Sequence, residues 1–351
     1  MSSSQCTEQA RHELIGISSS VVLKSTLLVN LLFSAAGLVL FAWATWHLWH
    51  SRFTQKFHTN LRLVVQVHIV GFAVHCAGRV VLHTLDLFNY QLRDDVCDMI
   101  PNIYRCFVFR LMYNAGMWIT MCTAIPLIVE RFVATCRKTG YEKSSPCLGV
   151  FLCLLQPTIA AIPLAFAYSN LEFKNLEKTM TYCSVYKPGY PTVATCVAVA
   201  SVVTQFLARL TFGWLFRKNS SLRQQKCGTL STRYQLEENK NSMECLKVYA
   251  NISTAFILLQ HGAFALLIQK AGELRHETYL ALMEIDCAYP LYGIISVAAV
   301  TWKIRRIRNK LNHGLSVQTK LPTNRTTDAY FEEFKRMLGD MPNENKMMMG
   351  E

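Results

Sequence analysis

Charge is scarce in this chain of 351 residues: 17% of the residues are charged, whereas soluble domains average about 25%. Acidic residues are fewest, with 23 aspartates and glutamates against 36 lysines and arginines. The sequence also lacks internal repeats and low-complexity tracts. Its apolar residues, 51% of the chain, lie in long runs. These features exclude a disordered chain and argue against a water-soluble globular protein.

Signatures of enzymes and metal sites are missing as well. We find no GxSxG, HExxH, P-loop or GxGxxG motif, and the thirteen cysteines form no CxxC pair or zinc-type Cys/His spacing. We therefore predict no catalytic residue, no metal and no cofactor. The net charge of +13 would suit nucleic-acid binding, but no basic recognition module accompanies it, so we do not expect a nucleic-acid partner.

Seven apolar runs are long enough to cross a bilayer, which takes about 20 residues. They are Leu27–Trp49, Leu61–Leu82, Cys106–Val129, Pro146–Tyr168, Pro191–Phe216, Leu246–Ile268 and Tyr279–Trp302. The second run is the weakest, because it contains two arginines and several histidines. The sequence thus predicts an all-α membrane protein built as a seven-transmembrane helix bundle.

Positive charge is divided unevenly between the two sides of this bundle. If the N-terminus lies outside, 22 lysines and arginines fall inside and 9 outside, which is the bias of cytoplasmic segments. We therefore expect an extracellular segment over residues 1–23, a transmembrane domain over 24–302 and a cytoplasmic tail over 312–351. The first 23 residues contain no apolar region of a cleaved signal peptide, so the first span is expected to act as a signal anchor.

Residues 303–311 follow the seventh span and are strongly basic. Ile304, Ile307 and Leu311 fall at helical spacing on one face, with the basic residues on the other. This pattern predicts a short amphipathic helix at the membrane surface. The alternative is a charged tail that only stops transfer of the chain across the membrane.

Four cysteines fall on the predicted outer side, where an oxidising environment allows them to pair. A bond between Cys106, at the outer end of span three, and Cys183, in the loop before span five, would pin that loop over the mouth of the bundle. The alternatives are that Cys97 takes part instead, or that these cysteines are free. If Cys106 pairs with Cys183, a second bond between Cys6 and Cys97 can form.

Seven helices with an outer N-terminus and such a bridge resemble a G-protein-coupled receptor. Glu130-Arg131-Phe132 stands where rhodopsin-like receptors have an acidic-Arg-aromatic triplet, and Arg131 follows Cys106 by 25 residues. Two further segments, Glu130–Thr135 with Gly140–Lys143 and Leu230–Asn239, resemble nematode serpentine chemoreceptors of the Sra superfamily. Class AB is the most similar class, and classes A, B and E are near alternatives.

The resemblance implies a chemosensory receptor of the plasma membrane of sensory-neuron cilia, which binds a small molecule and signals through a heterotrimeric G protein. Two features depart from the rhodopsin-like pattern: span six has no proline, and span seven has Tyr289-Pro-Leu-Tyr292 instead of Asn-Pro-x-x-Tyr. Of the rhodopsin-like switch residues, only Glu130 and Arg131 can therefore be carried over.

The predicted coupling residues lie at the inner ends of the spans. In rhodopsin-like receptors the arginine of the triplet is held by its acidic neighbour and is released on activation. For Glu130 and Arg131 the alternative is an ordinary interfacial pair that anchors the helix. Arg217, Lys218 and Arg233 in the third inner loop either help to bind the G protein or only enforce the topology.

Charged side chains inside spans usually face the bundle interior or water. The direction of each span puts Arg79, Arg110, Glu284 and Asp286 in the outer third. Glu284 and Asp286 are about 200° apart around a helix, so we expect only one of them to face inward. The predicted ligand-binding residues are His75, Arg79, Arg110, Tyr113, Asn114, Gln260, His261, Glu284 and Asp286.

A cup with two arginines and a carboxylate would suit a small polar ligand, including an anionic one. The alternative is that the arginines pair with the carboxylates only to hold the helices together, and that Tyr113 and Asn114 only pack. Two other functions remain open, a seven-helix ligand-gated channel and a small-molecule transporter. The sidedness of the N-terminus would separate a channel of the inverted type, and internal symmetry would indicate a transporter.

Overall fold

The structure is a computed structural model that describes residues 6–93, 95–137, 141, 144–168, 181–183, 191–224 and 230–319. These residues are almost entirely helical and contain no strand. The α-helices are α1 (Glu8–Ser19), α2 (Val21–His50), α3 (Thr59–Leu92), α4 (Ile103–Cys122), α5 (Ala124–Cys136), α6 (Cys147–Tyr168), α7 (Pro191–Gln224), α8 (Leu230–Lys270), α9 (His276–Asp286) and α10 (Tyr289–Thr319). Short 3₁₀ helices lie at Thr54–Lys56 and Val96–Met99.

Seven helical segments in this part of the chain are long and apolar enough to cross a membrane, which confirms the predicted fold class. Helices α2, α3, α6, α7 and α8 each supply one span. The third span joins α4 to α5, and the seventh joins α9 to α10. Both composite spans are therefore interrupted helices.

Helix α3 carries the polar residues of the second predicted span. His68, His75, Arg79 and His83 are all buried, and their spacings of seven and four residues put them on one face. That face packs against neighbouring helices, since α3 contacts α2, α4 and α6. The polar groups thus point into protein, and the remaining faces of the helix suit lipid.

Helices α3 and α4 approach each other closely through glycines. A Cβ atom on Gly116 would lie 2.4 Å from both the Gly71 carbonyl oxygen and the His75 backbone nitrogen. A Cβ atom on Gly71 would in turn lie 2.8 Å from the Thr120 methyl group. Small residues at such crossings let helices pack in lipid, where no hydrophobic force drives association.

The third span breaks at Thr123, between α4 and α5. Pro126 explains this position. Proline has no backbone N–H to donate, and its ring clashes with the carbonyl group four residues earlier, that of Cys122. Neighbouring helices bind the carbonyl groups at the break. Gln156 of α6 donates to the Ile119 carbonyl at 3.0 Å, and Gln205 of α7 donates to the Met121 carbonyl at 2.8 Å.

The seventh span breaks after Asp286, which is four residues before Pro290, so the same clash applies. The Glu284 carbonyl at this break accepts from Asn30 of α2 at 2.9 Å and from Arg79 at 3.2 Å. Pro157 and Pro163 behave differently, since α6 continues through both.

One end of the bundle carries both disulfides, Cys6–Cys97 and Cys106–Cys183, and we call it the disulfide end. The N-terminal segment, for which the sequence predicted no structure, forms α1 at this end. Its Leu14 and Ile17 are fully buried. They belong to a cluster of buried side chains that also contains Leu23, Leu27, Tyr90, Met99, Tyr182, Leu280 and Ala281.

The segment after the seventh span is helical over residues 303–311, but it is not a separate helix. Helix α10 runs without interruption from Tyr289 to Thr319. Residues 320–351, most of the predicted tail, lie outside the described residues.

Gly116→Ala tests the close contact of α3 with α4. The added methyl group meets backbone atoms, which cannot move aside as a side chain can, so we expect a loss of about 1–3 kcal/mol. The readout is the thermal midpoint of the purified protein in detergent. Gly213→Ala is the control, because its Cβ would meet nothing within 4 Å; equal midpoints for the two variants would contradict the packing described.

Candidate functional site

Glu284 binds two arginines at the disulfide end. Its carboxylate lies 2.8 Å from Nη2 of Arg79 on α3 and 2.6 Å from Nη2 of Arg110 on α4. All three side chains are buried, and we call them the Glu284 triad. Tyr182, in the loop held by the Cys106–Cys183 bond, donates to the same carboxylate at 3.0 Å. The triad thus ties three helices and a loop together.

Both arginines also bind groups outside the triad, although Nε of Arg79 has no hydrogen-bond partner among the described residues. Arg79 donates to the carbonyls of Glu284 and Cys287, at the C-terminal end of α9, where the helix dipole is negative. Arg110 donates to the Cys183 carbonyl and to the Tyr113 hydroxyl. These bonds are those of side chains that hold helices together, which is the alternative that the sequence left open.

A cavity of about 150 Å³ lies beside the triad, between α4, α7, α8 and α9. All of the predicted ligand-binding residues line it except His75 and Arg79. The lining residues are Arg110, Tyr113, Asn114, Met117, Trp118, Met121, Tyr182, Ala198, Gln260, His261, Phe264, Tyr279, Leu280, Met283, Glu284, Asp286 and Cys287.

His75 and Arg79 are absent from the wall because α3 is covered by its neighbours. His75 is fully buried, and its Nδ1 lies 2.9 Å from the Tyr113 carbonyl oxygen. Asn114 is on the wall, where it donates to the Tyr168 hydroxyl at 2.7 Å.

Two features of the wall differ from the sequence-based expectation. Both Glu284 and Asp286 reach the cavity, although only one was expected to face inward. Asp286 is the last residue of α9. Tyr182 was not predicted, although its place beside Cys183 was a signal, since a bond to Cys106 brings the loop over the bundle.

The other end of the bundle holds a second buried cluster around Arg131 of α5. Arg131 binds the Glu130 carboxylate through two of its nitrogens. It also donates to Asn239 Oδ1 at 3.1 Å and to Ser242 Oγ at 2.7 Å, both on α8. We call these four residues the Arg131 cluster. They are all buried, so the arginine is bound by a second helix and is not exposed at the surface.

Tyr141 completes this arrangement from the loop after α5. Its hydroxyl donates to Glu130 at 2.7 Å and accepts from Asn60 at 3.2 Å. Burial, reinforced by the neighbouring Glu130 carboxylate, raises the pKa of Tyr141. The phenol therefore remains protonated and able to donate.

His58, just before α3, adds a further link to α8. Its backbone N–H donates to Glu238 Oε1 at 2.9 Å, and its ring lies 4.3 Å from that of Tyr141, between centroids. Burial lowers the pKa of the His58 imidazole.

The three basic residues that were predicted for the third inner loop fall within α7 and α8. Arg217 is exposed near the C-terminal end of α7. Lys218 lies 4.8 Å above the Trp214 ring. Arg233 falls within α8, but its side chain lies outside the described residues.

Comparison with known proteins identifies the family. The model of the serpentine type 7TM GPCR receptor class ab chemoreceptors matches residues 8–339. The chain belongs to this family. It is 23% identical to serpentine receptor class alpha/beta-14 of Caenorhabditis elegans over 272 residues, which cover 73% of this chain and 68% of that protein. It is 22% identical to serpentine receptor class beta-6 of the same organism over 244 residues, 68% of this chain and 71% of that protein.

The comparisons confirm the resemblance to nematode chemoreceptors of the Sra superfamily. A class ab chemoreceptor is a multi-pass membrane protein of a family whose members are receptors and generally not enzymes. Membership also implies a small-molecule ligand. The family does not say where that ligand binds, and the cavity beside the Glu284 triad is the candidate that the geometry offers.

Glu284→Gln tests how much the triad contributes to the stability of the folded receptor. It leaves two buried arginines without a counter-charge, so we expect a loss of about 3–5 kcal/mol and poor recovery of folded receptor. The readout is the yield of monodisperse protein and its thermal midpoint. Glu273→Gln is the matched control, because Glu273 is exposed and its pair with Lys270 is a surface pair, worth less than about 1 kcal/mol. Equal behaviour of the two variants would show that the triad is dispensable.

Proposed function

We propose that this class ab chemoreceptor binds a small environmental molecule in the cavity beside the Glu284 triad and activates a heterotrimeric G protein at the end that carries the Arg131 cluster. The two sites lie at opposite ends of the bundle. Ligand binding shifts a population of helix arrangements toward one in which Arg131 is released from α8.

The proposed orientation puts the disulfide end outside the cell. Disulfides form in oxidising compartments, and both bonds of the described residues lie at that end. The uneven distribution of lysine and arginine supports the same orientation. We propose accordingly that residues 1–23 are extracellular, that the segments after α10 are cytoplasmic, and that the receptor resides in the plasma membrane of sensory cilia.

The observation that carries the proposal is the continuity of α8, which takes part in both sites. This single helix of 41 residues contributes Gln260 and His261 to the cavity and Asn239 and Ser242 to the Arg131 cluster. Gln260 and Asn239 are 21 residues apart, or about 31 Å along a helix. A ligand that displaces α8 at the cavity therefore also moves the groups that bind Arg131.

The bonds from α8 to Arg131 give the resting state its stability. A hydrogen bond to a charged group contributes about 1.5–3 kcal/mol, and about 1.4 kcal/mol changes a population tenfold. Two such bonds keep the released state rare without making it inaccessible. Removing the bonds from α8 to Arg131 should therefore raise the population of the released state, and with it basal signalling, at least tenfold.

Asn239→Ala combined with Ser242→Ala tests this coupling. The double variant lacks both α8 acceptors of Arg131, so we expect basal second-messenger output to rise by tenfold or more in cells that co-express a responsive Gα subunit. Asn241→Ala on the same helix is the control and should leave basal output unchanged. Adding Arg131→Ala to the double variant should remove the rise at equal surface expression; a rise that persists without Arg131 would refute its role.

Orientation is tested with an epitope tag at the N-terminus and, separately, one at the C-terminus. We expect antibody staining of intact cells for the first tag only, and staining of both after permeabilisation. The opposite pattern would instead favour the inverted seven-helix channels. Reducing agent, as an independent check, should alter the electrophoretic mobility of the surface-labelled protein.

A further inference from the structure

The cavity beside the Glu284 triad favours a cation over an anion, because the arginine on its wall is already occupied. Arg110 is the arginine on the wall. Its three nitrogens bind the Cys183 carbonyl, the Tyr113 hydroxyl and the Glu284 carboxylate. An anionic ligand would have to compete with these partners, and displacing Glu284 would also disturb its bond to Arg79.

The wall also carries polar atoms that have no partner among the described residues, and they are acceptors. Asp286 Oδ1 is buried without a hydrogen bond, and so is Gln260 Oε1. Both residues line the cavity. None of the ion pairs found within 4.0 Å in the described part of the chain includes Asp286.

A buried carboxyl without a partner is costly in a membrane protein and marks a functional position. Glu284 and Asp286 thus have separate roles. Glu284 is saturated by the arginines and by Tyr182, whereas Asp286 faces the cavity with an unused acceptor. A donor that entered the cavity would satisfy both Asp286 and Gln260, and a positively charged donor would also neutralise the carboxylate.

The rest of the wall suits a cation with an apolar body. Trp118, Phe264 and Tyr279 supply aromatic rings, which attract ammonium groups through their faces. Met117, Met121 and Met283 add polarizable, adaptable side chains. A cavity of about 150 Å³ is comparable to one that admits benzene, so it accepts a body of roughly six to ten non-hydrogen atoms.

We infer that the ligand of this receptor is a small organic amine, bound as its ammonium ion by Asp286 and Gln260 and enclosed by the aromatic and methionine side chains of the cavity. This inference rests on the proposed function in one respect, that the cavity is the ligand site. It is independent of how Arg131 couples to a G protein.

Binding is tested on the purified full-length receptor in lipid nanodiscs, through the shift in thermal midpoint that a bound ligand causes. The probes are three compounds of one shape, benzylamine, benzyl alcohol and benzoate, together with butylamine as an aliphatic amine. We expect the amines to raise the midpoint at millimolar concentration, benzyl alcohol to bind at least tenfold more weakly, and benzoate to have no effect.

Asp286→Asn is the decisive variant. It should weaken benzylamine binding at least tenfold, and it should leave the midpoint of the ligand-free receptor equal or higher, because it removes an uncompensated carboxyl. A purely structural Asp286 would instead lower that midpoint. Gln260→Leu provides a second test on another helix and should also weaken benzylamine, whereas Glu273→Gln should have no effect.

Three outcomes would overturn the inference: tighter binding of benzoate than of benzylamine, benzylamine binding that is unchanged in Asp286→Asn, or no shift with any amine. Arg131→Ala separates this result from the coupling proposal. It should still bind benzylamine but no longer signal, whereas benzylamine binding without signalling in the unmodified receptor would contradict only the coupling.

Discussion

The carboxylate of Glu284 is the interaction on which the disulfide end of this receptor depends. It receives Arg79 from α3, Arg110 from α4 and Tyr182 from the bridged loop. Hydrocarbon cannot solvate any of these charges. The three helices and the loop are therefore stable only when assembled together. Such buried pairs add little net stability compared with apolar packing, but they heavily penalise any arrangement that separates the partners. The triad thus specifies which helices meet, and it leaves Asp286 as the carboxyl available to a ligand.

The two interrupted spans follow from the same requirement that polar groups be satisfied inside lipid. Pro126 and Pro290 each prevent a continuous helix, and each break exposes carbonyl groups that need donors. Gln156 and Gln205 supply them at the first break. Arg79 and Asn30 supply them at the second. Arg79 therefore has two roles, since it neutralises Glu284 and also caps the end of α9.

The sequence predicted those features that depend on local composition or on fixed spacing. The seven spans follow from hydropathy, and the family resemblance rests on short motifs around Glu130 and before span six. Other features depended on contacts between distant segments. Helix α1 was missed because its twelve residues are polar overall, and Leu14 and Ile17 are buried only through segments distant in the chain, such as Tyr90 and Leu280.

The predicted ligand-binding cup was likewise predictable only where local sequence decides the outcome. The charged residues were correctly grouped near one end of the bundle, because the direction of each span fixes depth. Which of them would face the cavity was not predictable from a helical wheel. His75 is covered by the close approach of α4 at Gly116, and Arg79 is buried against Glu284 and Cys287. Asp286, the last residue of α9, also lies on the wall, and the end of α9 falls four residues before Pro290.

The difference between interrupted and continuous spans matters for the proposal that a ligand in the cavity influences Arg131 at the other end of the bundle. The third and seventh spans contain breaks whose carbonyls are bound by side chains, so they can change direction while exchanging only a few hydrogen bonds. Helix α8 has no such break, and a displacement at Gln260 is carried to Asn239 with little loss. A ligand needs differential affinity for the two arrangements of α8 to shift their populations. A donor that binds Gln260 of α8 and Asp286 of α9 at once has that property, because its affinity depends on the distance between the two helices. The hydrogen bonds that hold Arg131 to α8 and those that such a ligand would form have free energies of the same magnitude. Binding of the ligand could therefore compensate for the loss of the bonds to Arg131.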